Sequence, residues 1–166
     1  ESTFYGDIIK AIPDNVKVII DAERGNTLSA ISSREVFMVK PNLRELEEFT
    51  GKNIHSLQDM VSASKKYLDR GVKYVMISLG SEGAVFTDGS DSYFCKSASV
   101  AVNSTVGAGD SMVAAAALMT EHGASKQEIL KCAVAAGTAS ITTPGTNLFY
   151  RDKFEEIYGK ISVVKI

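Results

Sequence analysis

The run Thr105-Val106-Gly107-Ala108-Gly109-Asp110-Ser111-Met112 sets two glycines and a carboxylate immediately before an alanine-rich stretch. Peptide N–H groups at a helix start have no intrahelical partner, and glycine lets them approach an anion without a Cβ in the way. Gly107, Ala108 and Gly109 can therefore donate to the oxygens of a transferring phosphoryl group. Asp110 follows that nest, where a carboxylate can accept the proton of an attacking hydroxyl. The same residues also make an ordinary glycine-rich helix start, with Asp110 favoured by the helix dipole.

Two further clusters carry polar residues at helix or strand ends. In Lys40-Pro41-Asn42-Leu43-Arg44-Glu45, Asn42 and Glu45 stand three apart at a helix start, hence on one face. They can hold the waters of a magnesium ion, or cap the helix reciprocally with no metal involved. Ser78-Leu79-Gly80-Ser81-Glu82-Gly83 puts two glycines and two hydroxyls at a strand-to-strand corner, which either approaches a nucleotide closely or is simply a tight turn. Asp21-Ala22-Glu23-Arg24 reads as a solvated loop within reach of the site, and Lys65-Lys66 as an exposed helix face. His55 and His122 have no partner at ligand or triad spacing.

These residues need a scaffold, and the hydrophobic pattern supplies one. Apolar runs at 16–20, 36–39 and 72–78 read as strands, the first a buried and parallel one. Residues 83–87 and 92–95 flank Asp88-Gly89-Ser90 as a hairpin. Helical spacing marks 5–12, 28–33, 43–50, 56–70, 111–121 and 126–140, with a last turn at 154–158 and an edge strand at 161–166. Phe149-Tyr150 is expected to anchor its loop on the core, and Met112 and Met119 to fill core space. Alternation of strand and helix predicts an α/β fold, an open, mostly parallel sheet with helices on both faces. Ligands of such sheets bind beyond the carboxyl ends of the strands, where Asp21, Lys40-Pro41-Asn42 and Ser78-Leu79-Gly80 all fall.

Composition narrows the functional classes. The chain has 166 residues, 45% hydrophobic and 23% charged, enough to bury a core as one α/β unit. Net charge is −2 with bases scattered among acids, which gives no electrostatic footprint for nucleic acid or membrane. No apolar run approaches the ~20 residues of a membrane span. Cys95 and Cys132 lie far apart without metal-ligand spacing, so buried reduced thiols and a cytoplasmic setting are expected. Only one glycine lies in residues 21–25 after the first strand, which argues against a dinucleotide-binding oxidoreductase.

Asn103 to Asp110, preceded in order by Lys40-Pro41-Asn42-Leu43-Arg44-Glu45 and Ser78 to Gly83, resembles the ribokinase-like carbohydrate kinases of the phosphofructokinase-B type. Within them the chain is most similar to the phosphosugar branch that holds 1-phosphofructokinase and tagatose-6-phosphate kinase. The resemblance covers nearly the whole chain but only the C-terminal half of the family's length.

That resemblance implies Asp110 as the base that deprotonates a sugar hydroxyl attacking the γ-phosphate of ATP, with Gly107, Ala108 and Gly109 as the anion hole. It implies Ser78, Leu79, Gly80, Ser81, Glu82 and Gly83 as an ATP-binding segment that Gly109 and Asp110 join. Lys40 would lie near the nucleotide phosphates and Gly137, with Ala136, in a helix closing over the adenine. Asn42 and Glu45 would act on Mg2+ through water. Many family members carry Asp where Asn103 stands, near a monovalent-cation site, so potassium activation does not carry over. The acceptor implied is a sugar phosphate, fructose 1-phosphate first and tagatose 6-phosphate second. A non-catalytic nucleotide-binding module is the alternative class. Most sugar-binding residues and the lid of the family lie outside the resemblance, and a homodimer through that lid is left open for the full-length protein. The isolated 166 residues are expected to have little or no kinase activity.

Overall fold

Continuous β-branched and aromatic runs make the sheet. In the computed structural model, which describes residues 4–22 and 24–166, the strands are β1 (Ile19–Ile20), β2 (Val36–Val39), β3 (Val72–Ser78), β4 (Ala84–Thr87), β5 (Ser92–Cys95) and β6 (Val163–Lys165). They hydrogen-bond in that order, an open sheet with β1 and β6 at its edges. The helices are α1 (Phe4–Ala11), α2 (Arg24–Ile31), α3 (Leu43–Thr50), α4 (Leu57–Leu68), α5 (Ala108–Glu121), α6 (Lys126–Ser140) and α7 (Arg151–Lys160). This is the α/β architecture expected, mixed and mostly parallel.

The chain divides into two compact units, the first being Glu1–Ser78 with Val85–Ser92 and Ile166. Here β1 and β3 both pair in parallel with β2, Ile20 opposite Val39 and Val39 opposite Val75. Val36, Met38, Val39, Val75, Met76 and Ile77 are almost wholly buried, as strands covered on both faces must be. Asn42 and Glu45 form a full capping box at the start of α3, and Gly51 ends that helix in the left-handed conformation. Lys66 is not part of a free surface. Its Nζ donates to the Phe49 carbonyl at 2.5 Å and lies 4.8 Å from the Phe49 ring centre, satisfying an orphan carbonyl at the end of α3.

The second unit comprises Leu79–Ala84 and Tyr93–Lys165. Its centre is the pair α5 and α6, whose alanines let two helix backbones approach closely. Ser125 caps α6 with Glu128 in a second capping box, and from Ala133 to Ser140 every residue of α6 is buried. Beside α6 lies α7, with Ile157 buried and Nζ of Lys131 in α6 4.2 Å from the Tyr158 ring centre, while Phe149, Phe154 and Tyr158 stack along α7 and the loop before it. β6 pairs antiparallel with β5, Phe94 opposite Val164.

Several boundaries differ from the sequence expectation. The first strand is only Ile19–Ile20, because the turn at Pro13 carries into Val16, whose N–H bonds the Pro13 carbonyl at 3.0 Å. α2 begins at Arg24 and α5 at Ala108, each with a glycine in its first turn that masked the start. α7 spans ten residues rather than a single turn, since ion pairs of Arg151 with Glu155 and of Lys153 with Glu156 support a face with little apolar content. Phe149 anchors its loop as expected, but Tyr150 is 74% exposed.

Candidate active site

The Gly107 turn opens α5 in the way an anion site requires. Gly107 is the N-cap with φ 84° and ψ −1°, a left-handed conformation that favours glycine. The first helical hydrogen bond runs from Ser111 N–H to the Gly107 carbonyl at 2.9 Å. The N–H groups of Ala108, Gly109 and Asp110 thus precede the ladder, and no side chain caps them. By contrast Asn42, Ser56 and Ser125 cap α3, α4 and α6 with their own side chains. Asp110 sits at the third helical position, exposed, and its carboxylate makes no hydrogen bond or ion pair with any described residue. An anion would meet three unsatisfied donors and the positive end of the helix dipole.

The turn is held from the side. Asn103 donates its N–H to the Ile141 carbonyl at 2.8 Å and its Nδ2 to the Thr142 carbonyl at 2.7 Å, tying the approach to α5 to the end of α6. Gly137 is buried where α6 meets α5. A Cβ there would lie 2.7 Å from Met112 Cγ and 3.2 Å from the Ala108 carbonyl oxygen. The structure thus gives Gly137 a packing role.

The corner 79–83 is a 3-10 turn over Gly80–Glu82, closed by Leu79 N–H to the Gly83 carbonyl at 2.9 Å. Gly80 has φ 58° and Gly83 φ 105°. At Gly83 a Cβ would fall 1.9 Å from the Cys95 carbonyl oxygen, so the backbones meet only because this residue is glycine. Ser81 and Glu82 point to solvent on the exposed turn.

In the first unit, three strand ends converge. Lys40 follows β2 and its side chain is only 7% exposed, with Nζ 3.0 Å from Oδ2 of Asp21, which follows β1. Its backbone N–H bonds the Ile20 carbonyl at 2.9 Å, and Ser78 N–H bonds the Pro41 carbonyl at 3.0 Å. Asn42 forms an isolated parallel bridge with Ser78. The parallel pairing of β1, β2 and β3 puts Asp21, Lys40, Asn42 and Ser78 along one carboxyl edge.

Asp21 is the correction here. It is not merely a solvated loop residue, because it neutralises the buried ammonium of Lys40, and an unpaired buried charge is costly. The signal was present: an acid and a lysine each occupy the first position after neighbouring parallel strands. Glu23, next in that loop, lies outside the described residues.

The donors fit the groups implied by the resemblance in different degrees. The three amides at α5 match phosphate oxygens directly. For magnesium, Glu45 spends Oε2 on the Asn42 N–H, and Asn42 spends Oδ1 on the Glu45 N–H, both at 2.9 Å. Glu45 Oε1 stays available to a bound water, and among the described residues no three His, Cys, Asp or Glu side chains group around a metal position. The pair suits a hydrated ion rather than direct ligation.

The description "pfkB family carbohydrate kinase" matches residues 5–153, most of the chain and all of these clusters. The chain belongs to the pfkB family of carbohydrate kinases. It is 35% identical over 138 residues to a 1-phosphofructokinase of Borreliella burgdorferi, covering 82% of this chain and 44% of that protein. It is 32% identical over 156 residues to the ATP-dependent 6-phosphofructokinase isozyme 2 of Escherichia coli, covering 93% and 50%. Among solved structures, the ribokinase of Arabidopsis thaliana, complexed with ribose and ATP, superposes with a TM-score of 0.80 at 26% identity, covering 95% of this chain and 53% of the ribokinase. This pfkB chain therefore has a ribokinase-like fold, and it spans about half the length of the curated relatives it matches.

Proposed function

We propose that this chain carries the phosphoryl-transfer site of an ATP-dependent phosphohexose kinase. The observation that carries the reading is the start of α5, three amides without acceptors followed by a carboxylate without a partner. ATP supplies the γ-phosphoryl group, and its accompanying Mg2+ draws charge from the phosphate oxygens.

The residues divide the remaining work. The Asp110 carboxylate takes the proton of the acceptor hydroxyl as that oxygen bonds to the γ-phosphorus, while the bond from phosphorus to the β,γ-bridging oxygen breaks and ADP departs. The N–H groups of Ala108, Gly109 and Asp110 hold the transferring oxygens in place, Gly107 sets the turn that presents them, and α5 adds its dipole. Lys40 counters phosphate charge, and the Ser78–Gly83 segment brings backbone against the nucleotide. Gly137 serves the nucleotide through the helix it supports. Glu45 and Asn42 steady the waters of the magnesium ion.

Fructose 1-phosphate is the acceptor this reading favours, giving fructose 1,6-bisphosphate in the cytoplasm. A 1-phosphofructokinase among the relatives supports it, and a relative named for 6-phosphofructokinase activity makes fructose 6-phosphate the comparison to run. Tagatose 6-phosphate is the second acceptor of the same class. The test is ADP release by the full-length gene product with each of the three sugar phosphates. Sugar-dependent turnover with the highest kcat/KM for fructose 1-phosphate supports the reading. ATP binding without turnover on any acceptor would make the protein a nucleotide-binding module instead.

A further inference from the structure

We infer that Gly137 is a positioning residue for phosphoryl transfer, setting the place of the α5 amides through the carbonyl of Ala108. The inference rests on the reading of the α5 turn as the phosphoryl site, and it assigns a role to a residue that touches no reacting atom.

Gly137 lies in the buried half of α6, and its missing side chain decides how closely α5 can approach. A Cβ on Gly137 would stand 2.7 Å from Cγ and 3.3 Å from Sδ of Met112, and 3.2 Å from the carbonyl oxygen of Ala108. These two neighbours differ in kind. Met112 is flexible and can swing aside. Ala108 O is backbone in the first turn of α5, and it is rigidly connected to the N–H groups of Gly109 and Asp110. Pushing it by a few tenths of an ångström moves the donors themselves.

The other flank is fixed independently. Asn103 is tied by two hydrogen bonds, of 2.8 and 2.7 Å, to the carbonyls of Ile141 and Thr142 just beyond α6. The segment 103–110 is therefore tethered to α6 at one end and abuts Gly137 at the other. A displacement of the first turn cannot be taken up by sliding the whole loop. Donors aimed at developing charge lose their effect with small misplacement, because their advantage is that they need not reorganise.

The test uses the full-length protein and four variants, Gly137→Ala, Met112→Ala, the double variant, and Gly159→Ala as a control. Gly159 lies in α7 with nothing within 4 Å of a Cβ, so its substitution adds a methyl group in open space. Gly137→Ala is expected to lower kcat about tenfold, a fraction of the loss on removing a whole oxyanion donor. KM for the sugar phosphate should stay within twofold, and Gly159→Ala should match wild type. The double variant keeps the fold accessible, since the tightest clash is gone, while the methyl group still presses on Ala108 O. Its kcat should remain about tenfold below that of Met112→Ala alone.

A double variant that turns over as fast as Met112→Ala would overturn the inference, as would Gly137→Ala turning over at the wild-type rate. A wild-type protein without sugar-dependent turnover would instead sink the kinase reading, an outcome visible before any variant is made.

Discussion

Nζ of Lys40 lies 3.0 Å from Oδ2 of Asp21, joining the carboxyl ends of two neighbouring parallel strands. The lysine side chain is buried and the aspartate side chain is 31% exposed, so the ammonium depends on the carboxylate for its compensation. Asp21→Asn should destabilise the protein by about 2 kcal/mol, less than for a pair lost from a dry interior. Adding Lys40→Met to it should recover much of that loss, because no buried charge is then stranded. Urea midpoints of the three proteins give the comparison; equal midpoints for Asp21→Asn and wild type would show that the pair contributes nothing.

The capping box of Asn42 and Glu45 separates two roles that share the same atoms. Asn42→Ala should cost about 1 kcal/mol of stability, the usual value for a lost N-cap. Asn42→Ser retains a capping oxygen, so it should keep stability within a few tenths of a kcal/mol. If the amide also orders magnesium-bound water, Asn42→Ser should raise the Mg2+ concentration for half-maximal rate several-fold. An unchanged Mg2+ titration would leave Asn42 with capping alone.

Gly83→Ala should be among the most damaging single substitutions in the chain. Its Cβ would sit 1.9 Å from the Cys95 carbonyl oxygen, and its φ of 105° already disfavours any side chain. A loss of about 3 kcal/mol or more follows, since two backbones have to part. Thermal denaturation checks it, and a midpoint within two or three degrees of wild type would refute the close approach.

Burial holds the Cys95 thiol at about 11, well above its ordinary value of 9.0. The unfolded chain ionises this thiol first, so its contribution is complete below pH 9 and is lost as pH rises towards 11. The Tyr158 hydroxyl, also raised by burial, acts in the same direction above pH 10. Denaturant midpoints should therefore fall more steeply above pH 9 in wild type than in Cys95→Ser. Parallel pH profiles would contradict this. At the acid end Glu156, held down to about 2 by its hydrogen bonds to Lys153 and Lys160, works the other way, and its contribution fades as pH drops below 4.5.

Much of the scaffold was legible because its signals are local. Residues 36–39 and 72–78 are read as strands from their apolar runs and are strands at those bounds, while Asn42 and Glu45 announce α3 through their capping box. Asp88-Gly89-Ser90 foretold the hairpin, where Asp88 Oδ1 accepts from Ser90 and Asp91 and Gly89 takes φ 87°. The sequence pattern marks α5 only from residue 111, three residues after its start, since Gly107 and Gly109 look like loop while all three residues between Gly107 and Ser111 already wind as helix. What spacing could not show are partners remote in sequence. Lys40 finds Asp21, Lys66 finds the Phe49 carbonyl, and Gly137 meets Ala108, each pair set by packing rather than by neighbouring residues.

The most direct test of the central claim is Asp110→Asn in the full-length protein, measured by sugar-dependent ADP release together with ATP affinity. The substitution keeps the size and the helical position of Asp110 but removes the proton acceptor. With Asp110 as general base, kcat should fall about 10²–10⁴-fold, the usual contribution of such a group, with ATP affinity and thermal midpoint close to wild type. Wild-type turnover in Asp110→Asn would contradict it, leaving the carboxylate as no more than a charge at the start of a helix.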